Sequence, residues 1–222
     1  MLLAFPNNNP VSVVGTSKTA AFFGTTTAAI KYRKSIKTDP KLLIAMVIPA
    51  FIGASCGALL ASHISAQSFK SAIFFMMIAI FIYTLIKPDL GKVQVQKHSD
   101  KKLMYIGGAA AFVIGFYDGL IGPGTGTMLM IFLVAVMGFA FVGASAIAKV
   151  VNAMTNLASI IVVGLRVGIL WKIGLFLAIA NLAGGYVGSH IAIKKGSGFV
   201  RIFYLIVTGL LIMRLGYSLY IE

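Results

Sequence analysis

The chain has 222 residues, is 59% hydrophobic and only 11% charged, and carries a formal net charge of +14. Soluble domains are roughly a quarter charged, and one of this length could not hide so much apolar surface. A bilayer can, since about 20 apolar residues cross its core of about 30 Å. The cations cluster between apolar runs instead of covering one face, which fits membrane topology and excludes nucleic acid as a partner.

In chain order, the amino terminus Met-Leu-Leu-Ala-Phe-Pro lacks the basic start and long apolar core of a signal peptide. Apolar or small-residue spans are predicted at 11–32, 41–63, 68–87, 103–121, 124–139, 142–164, 170–192 and 198–219. The expected fold is an all-α integral membrane protein, a polytopic bundle of about seven or eight spans. Span 124–139 is short, and either crosses the membrane or is re-entrant. The longest polar stretch, 88–102, is too short to fold alone and reads as a cytoplasmic linker between units 1–87 and 103–222.

The two units are related. Shifted by 131 positions without a gap, Leu2 meets Leu133, Lys18 meets Lys149, and Lys41 meets Lys172. Gly53 then meets Gly184, Gly57 meets Gly188, and Lys70 meets Arg201. Duplicated halves around a midplane site are the usual build of a secondary transporter. Met1 aligns with Phe132, so the first repeat is expected to lack the counterpart of its partner's opening helix and glycine-rich stretch.

Loop charge sets orientation. Lys31, Arg33, Lys34, Lys37 and Lys41 place the first loop in the cytoplasm. The loop at 63–70, with His63 and Lys70, then faces out, and 88–102 is inside. In the second repeat the bias reverses: Arg166 and Lys172 are few, whereas Lys194, Lys195 and Arg201 gather at the next loop. That reversal points to halves inserted upside-down relative to each other.

Three features bear on chemistry. The stretch Gly115-Phe-Tyr-Asp-Gly-Leu-Ile-Gly-Pro-Gly-Thr-Gly-Thr127 interrupts a helix, because Pro123 removes a donor and Gly122, Gly124 and Gly126 free the backbone. Unwound backbone at membrane depth lines a cavity or is buried in protein. It is either an anion cradle at a helix start or a turn between spans. It lacks the Lys-Ser/Thr ending of a nucleotide loop.

Lys149, Asn152 and Asn156 share one helical face, with Thr155 beside them; the first repeat offers Lys18, Ala21 and Thr25. A charge at the centre of a span costs about 2.5–3.5 kcal/mol on insertion scales. Two repeat-related lysines there suggest a shared anionic ligand, unless both snorkel to an interface. Asp118, the one carboxylate inside a predicted span, either relays a proton or pairs with Lys18 or Lys149. Gly53/Gly57, Gly184/Gly188 and Gly107/Gly108 are read as sites of close helix packing.

Nothing suggests an enzyme. His63, His98 and His190 are scattered, and no nucleophile–base grouping is evident. The lone Cys56 lies among small residues and reads as a packing residue. No metal-ligand spacing occurs, and no cofactor is implied.

The Gly115–Thr127 stretch, the Ala144-Ser-Ala-Ile-Ala-Lys-Val-Val-Asn-Ala-Met-Thr-Asn156 segment and Val167-Gly-Ile-Leu-Trp-Lys172 together resemble the sulfite exporter TauE/SafE family. Val14-Gly-Thr-Ser-Lys18 echoes them in the first half. The resemblance implies a multispanning protein of the bacterial inner membrane that moves small anions such as sulfite or organosulfonates. It departs from the family at the missing first helix.

The combined expectation is a small-anion exporter working by alternating access in the lipid bilayer. Lys18 and Lys149 would attract the anion. Asn152, Thr155, Asn156 and the Gly122, Gly124, Thr125, Gly126 and Thr127 segment would bind it, and Asp118 would couple protons or balance charge. The alternatives are a channel-like anion pore and a non-transporting membrane assembly factor. Oligomeric state is not legible.

Overall fold

The computed structural model describes residues 5, 7–35, 38–64, 100–139 and 141–220, with scattered positions between 71 and 86. Among these the regular structure is entirely helical. Helix α1 (Pro10–Ser35) starts where Asn9 Oδ1 accepts the Val11 N–H at 2.9 Å. Helix α2 (Pro40–Ala61) starts the same way, with Asp39 Oδ1 accepting the Lys41 N–H at 2.9 Å. In both, a proline occupies the first helical position, where no N–H is needed.

Helix α3 (Asp100–Leu120) ends at the glycine break, and α4 (Thr125–Ile131) follows, running into a π-helical turn at Phe132–Val136. Helix α5 (Phe141–Arg166) precedes α6 (Trp171–Tyr220). The loop expected between 170–192 and 198–219 is absent, and α6 runs through it unbroken. Its sequence, Ile193-Lys-Lys-Gly-Ser197, has no proline and two good helix formers, so polarity alone does not end the helix.

Among the described residues, Pro40–Ala61, Lys101–Leu120, Gly143–Arg166 and Trp171–Ile191 are long and apolar enough to cross a membrane. The other expected spans fall on α1, on the short Thr125–Val136 helix, on the far half of α6, and on 68–87, which is described only in part. Helix α1 is long enough, at about 39 Å, but carries the polar runs Thr16-Ser-Lys-Thr19 and Thr25-Thr-Thr27.

Glycines decide how the helices meet. Added Cβ atoms at Gly53 and Gly57 of α2 would lie 2.2 and 2.0 Å from the carbonyl oxygens of Phe112 and Phe116. Reciprocally, Gly115 and Gly119 of α3 abut the carbonyls of Ala50 and Ala54, at 2.4 and 2.0 Å. The two helices run parallel with backbones in contact, a packing only small residues permit. Gly107 and Gly108 likewise face Met46 and Ala45.

Gly184 and Gly188 do not pack as expected against the described residues, none of which lies within 4 Å of an added Cβ at either. Helix α6 turns Gly185 to α1 instead, where its Cβ would meet the Gly24 carbonyl at 2.3 Å. The close approach is thus made one residue round the helix from the predicted pair.

Helix α1 runs parallel to α6, from Thr16/Thr19 beside Gly174 to Lys31 stacked 3.7 Å over the Tyr186 ring. It runs antiparallel to α5, with Gly15 against Val163 at one end and Tyr32 clustered with Ala146 at the other. Moving each residue to its position in the other repeat turns the first contact into the second, since 15 becomes 146 and 163 becomes 32. The main apolar core lies where α2, α3, α4 and α5 converge around Met46, Leu129, Leu133, Met137, Ile147 and Val151.

Candidate functional site

The glycine break is a tight reversal. Gly122 and Gly124 have φ of 94° and 84°, in the left-handed region that L side chains avoid. The Tyr117 hydroxyl donates to the Pro123 carbonyl and pins the loop to α3. Beyond it, α4 doubles back along α3: Met128 joins Tyr117 and Ile121 in one apolar cluster, and Met137 comes to Gly107.

The loop encloses an ion pair. Lys18 Nζ of α1 lies 2.9 Å from Asp118 Oδ2 of α3, with Lys18 only 5% and Asp118 only 2% exposed. Thr125 Oγ1 sits 2.7 Å from both Asp118 Oδ1 and the Gly122 carbonyl, so its one proton goes to either acceptor. The carboxylate therefore meets a cation on one oxygen and a hydroxyl on the other, as burial of charge demands. An added Cβ at Gly122 would lie 3.2 Å from Lys18 Nζ. Glycine here provides both the turn and the room for the ammonium.

Helix α5 provides the other polar face. Lys149 and Asn152 are half-buried, while Thr155 and Asn156 are buried. Asn152 approaches the start of α4, its Nδ2 3.7 Å from an added Cβ at Gly126. Thr155 turns its hydroxyl to the Asn152 carbonyl at 3.0 Å, within its own helix. Thr127 is half-buried on α4. Among the described residues no hydrogen-bond or ion-pair partner reaches Lys149.

The structure brings together Lys18, Asp118, Gly122 and Thr125, and separately Gly126 with Asn152. It does not bring the two lysines to one point. With Gly15 level with Val163, Lys18 is level with about Ile160, so Lys149 lies about 16 Å further along α5. Sequence reasoning missed Tyr117, whose position one residue before Asp118 was the available signal, and Thr16. The Thr16 hydroxyl accepts the Leu170 N–H at 3.0 Å and fastens the approach to α6 onto α1.

Comparison with known proteins gives a consistent result. The family model for sulfite exporter TauE/SafE matches residues 1–215. A probable membrane transporter protein, ORF9, of Sinorhizobium is 32% identical over 206 residues, covering 93% of this chain and 78% of the relative. A probable membrane transporter protein of Haemophilus influenzae is 30% identical over 211 residues, covering 94% and 81%. The probable membrane transporter protein YfcA of Escherichia coli K12 is 30% identical over 214 residues, covering 95% and 77%. No solved structure matches.

Proposed function

Because the chain belongs to the sulfite exporter TauE/SafE family of membrane transporters, we propose that it moves a small anion across the membrane by alternating access, outward from the cell. It is a multi-pass membrane protein and not an enzyme. The proposed cargo is sulfite, which the family's name carries, or an organosulfur anion. The location proposed is the bacterial inner membrane, where the named relatives' hosts would place such an exporter.

The observation that carries the reading is the buried Lys18–Asp118 pair beside the glycine break. Charges inside membrane spans are expensive and mark ion pathways or relays. In the proposed cycle Lys18 and Lys149 attract the anion. Asn152, Thr155, Asn156 and the backbone and hydroxyls of Gly122–Thr127 hold it, while Asp118 releases Lys18 or takes up a proton. The antiparallel run of α1 and α5, matched by the 131-residue register, supports two halves inverted relative to each other.

The test is sulfite flux into vesicles containing the purified protein. Lys149→Met and Lys18→Met should each lose most flux while still inserting, and Lys149→Arg should lose part, because a planar fork is not a compact ammonium. Wild-type affinity and rate in both Met variants would leave the site without support. Flux that neither saturates nor follows a gradient would favour the pore reading.

A further inference from the structure

The first halves of the parallel helices α2 and α3 border a cavity of about 660 Å³. Its walls are Ala45 and Pro49 of α2 with Lys101, Tyr105, Gly108 and Ala109 of α3. The missing side chain at Gly108 makes the floor: an added Cβ would lie 2.9 Å from the Ala45 carbonyl oxygen and 3.6 Å from the Pro49 ring. Tyr105 is 82% exposed, and Val113, two helical turns on along the same face, is exposed as well. Ile44 and Ile48, beside Ala45 and Pro49, are exposed on α2. An apolar slot therefore opens from the cavity along both helices.

The mouth of the slot is cationic. Lys101 lines it, and Lys102 and Lys41 are exposed at the same helix starts. Because α2 and α3 run parallel, the positive ends of their dipoles lie together here. Asp39 and Asp100 offset part of this charge, although Asp39 Oδ1 is already engaged with the Lys41 N–H. Loop charge puts this end at the cytoplasmic surface, where the leaflet carries anionic headgroups. Charge complementarity selects the occupant. A soluble anion would use the mouth and leave the slot empty, and an apolar segment would fill the slot and leave Lys101 unmatched. An amphiphile with an anionic head meets both.

We propose that this cavity holds an anionic phospholipid of the cytoplasmic leaflet, with its phosphate at Lys101 and an acyl chain running past Pro49 and Ala109. Tyr105, with an apolar ring and a polar tip, sits at headgroup depth as interfacial aromatics do. The site is separate from the transport reading, since Lys101 is about 25 Å along α3 from Asp118.

The probe is phosphatidylglycerol with brominated acyl chains, which quench a neighbouring indole. The full chain, with Trp171→Phe and Tyr105→Trp, places its one indole at the cavity in phosphatidylcholine vesicles. Brominated phosphatidylglycerol is expected to quench at about fivefold lower mole fraction than brominated phosphatidylcholine, the factor one lysine contributes at an anionic surface. Lys101→Gln should remove most of that preference. Lys172→Gln, the same loss of charge at the start of α6, should leave it in place. Ala109→Leu, at an exposed position, should weaken quenching by both lipids.

Equal quenching by the two lipids, or a preference that survives Lys101→Gln, would overturn the site. Equal loss in Lys172→Gln would reduce it to general surface charge. Displacement by excess inorganic phosphate at constant ionic strength would assign Lys101 to a soluble anion instead. An indole that neither lipid quenches would mean that protein, not lipid, covers the cavity.

Discussion

The ammonium of Lys18 fills the space that a side chain at Gly122 would need, its Nζ 3.2 Å from where a Cβ would be. The residue that makes the turn and the residue that neutralises Asp118 therefore constrain each other. Gly122→Ala should be doubly disfavoured, by φ of +94° and by displacement of the ammonium. The left-handed backbone alone costs about 1–2 kcal/mol. Thermal unfolding in detergent should show the loss, and Gly126→Ala, whose nearest neighbour is an ordinary 3.7 Å away, should not.

The ion pair should behave as one unit. Lys18→Met strands a buried carboxylate and should destabilise by about 3–5 kcal/mol, as should Asp118→Leu for the buried ammonium. The double variant Lys18→Met/Asp118→Leu should be more stable than either single one. A double-mutant cycle on unfolding in detergent checks this, and strict additivity would mean that the two charges do not interact.

Separating α2 from α3 should be more damaging than any single charge change. Gly57→Leu places a branched side chain where the Phe116 carbonyl oxygen is 2.0 Å from the first carbon. Loss of folded protein is expected in fluorescence-detected size exclusion. Gly184→Leu, with no described residue within 4 Å, should leave the elution profile unchanged.

Orientation is testable at the linker. In a Cys56→Ser chain, Gln94→Cys should be labelled by an impermeant thiol reagent only after the cells are opened. Labelling of intact cells would overturn the assignment of 88–102 to the cytoplasm and the loop-charge argument for inversion.

The 131-residue register matches the ends of distant helices. Adding 131 to the ends of α1, Pro10 and Ser35, gives Phe141 and Arg166, the ends of α5; adding it to Pro40 gives Trp171, where α6 starts. What the register could not supply was pairing between distant elements. Asp118 had two lysines to choose between, and only the fold of α3 against α2 puts it at Lys18. Nor could composition show that Gly185, and not Gly184, would face α1, because one residue of rotation depends on the neighbouring helix. The continuity of α6 was hidden by a polar stretch that reads as a loop yet contains no proline, and its glycines do not break the helix.

Helices distant in sequence lie side by side. Helix α1 hardly touches α2, packing instead on α5 and α6, while α2 packs on α3 and α5. The Thr16 hydroxyl even holds the backbone N–H of Leu170, tying the first helix to the entrance of the last. A polypeptide cut within 88–102 would thus yield two fragments that each leave their partner's contact faces uncovered. Made together in one cell they should assemble; made apart, each should be degraded as an orphan. The halves are woven, so a rocking motion would divide the molecule along a seam that crosses both of them.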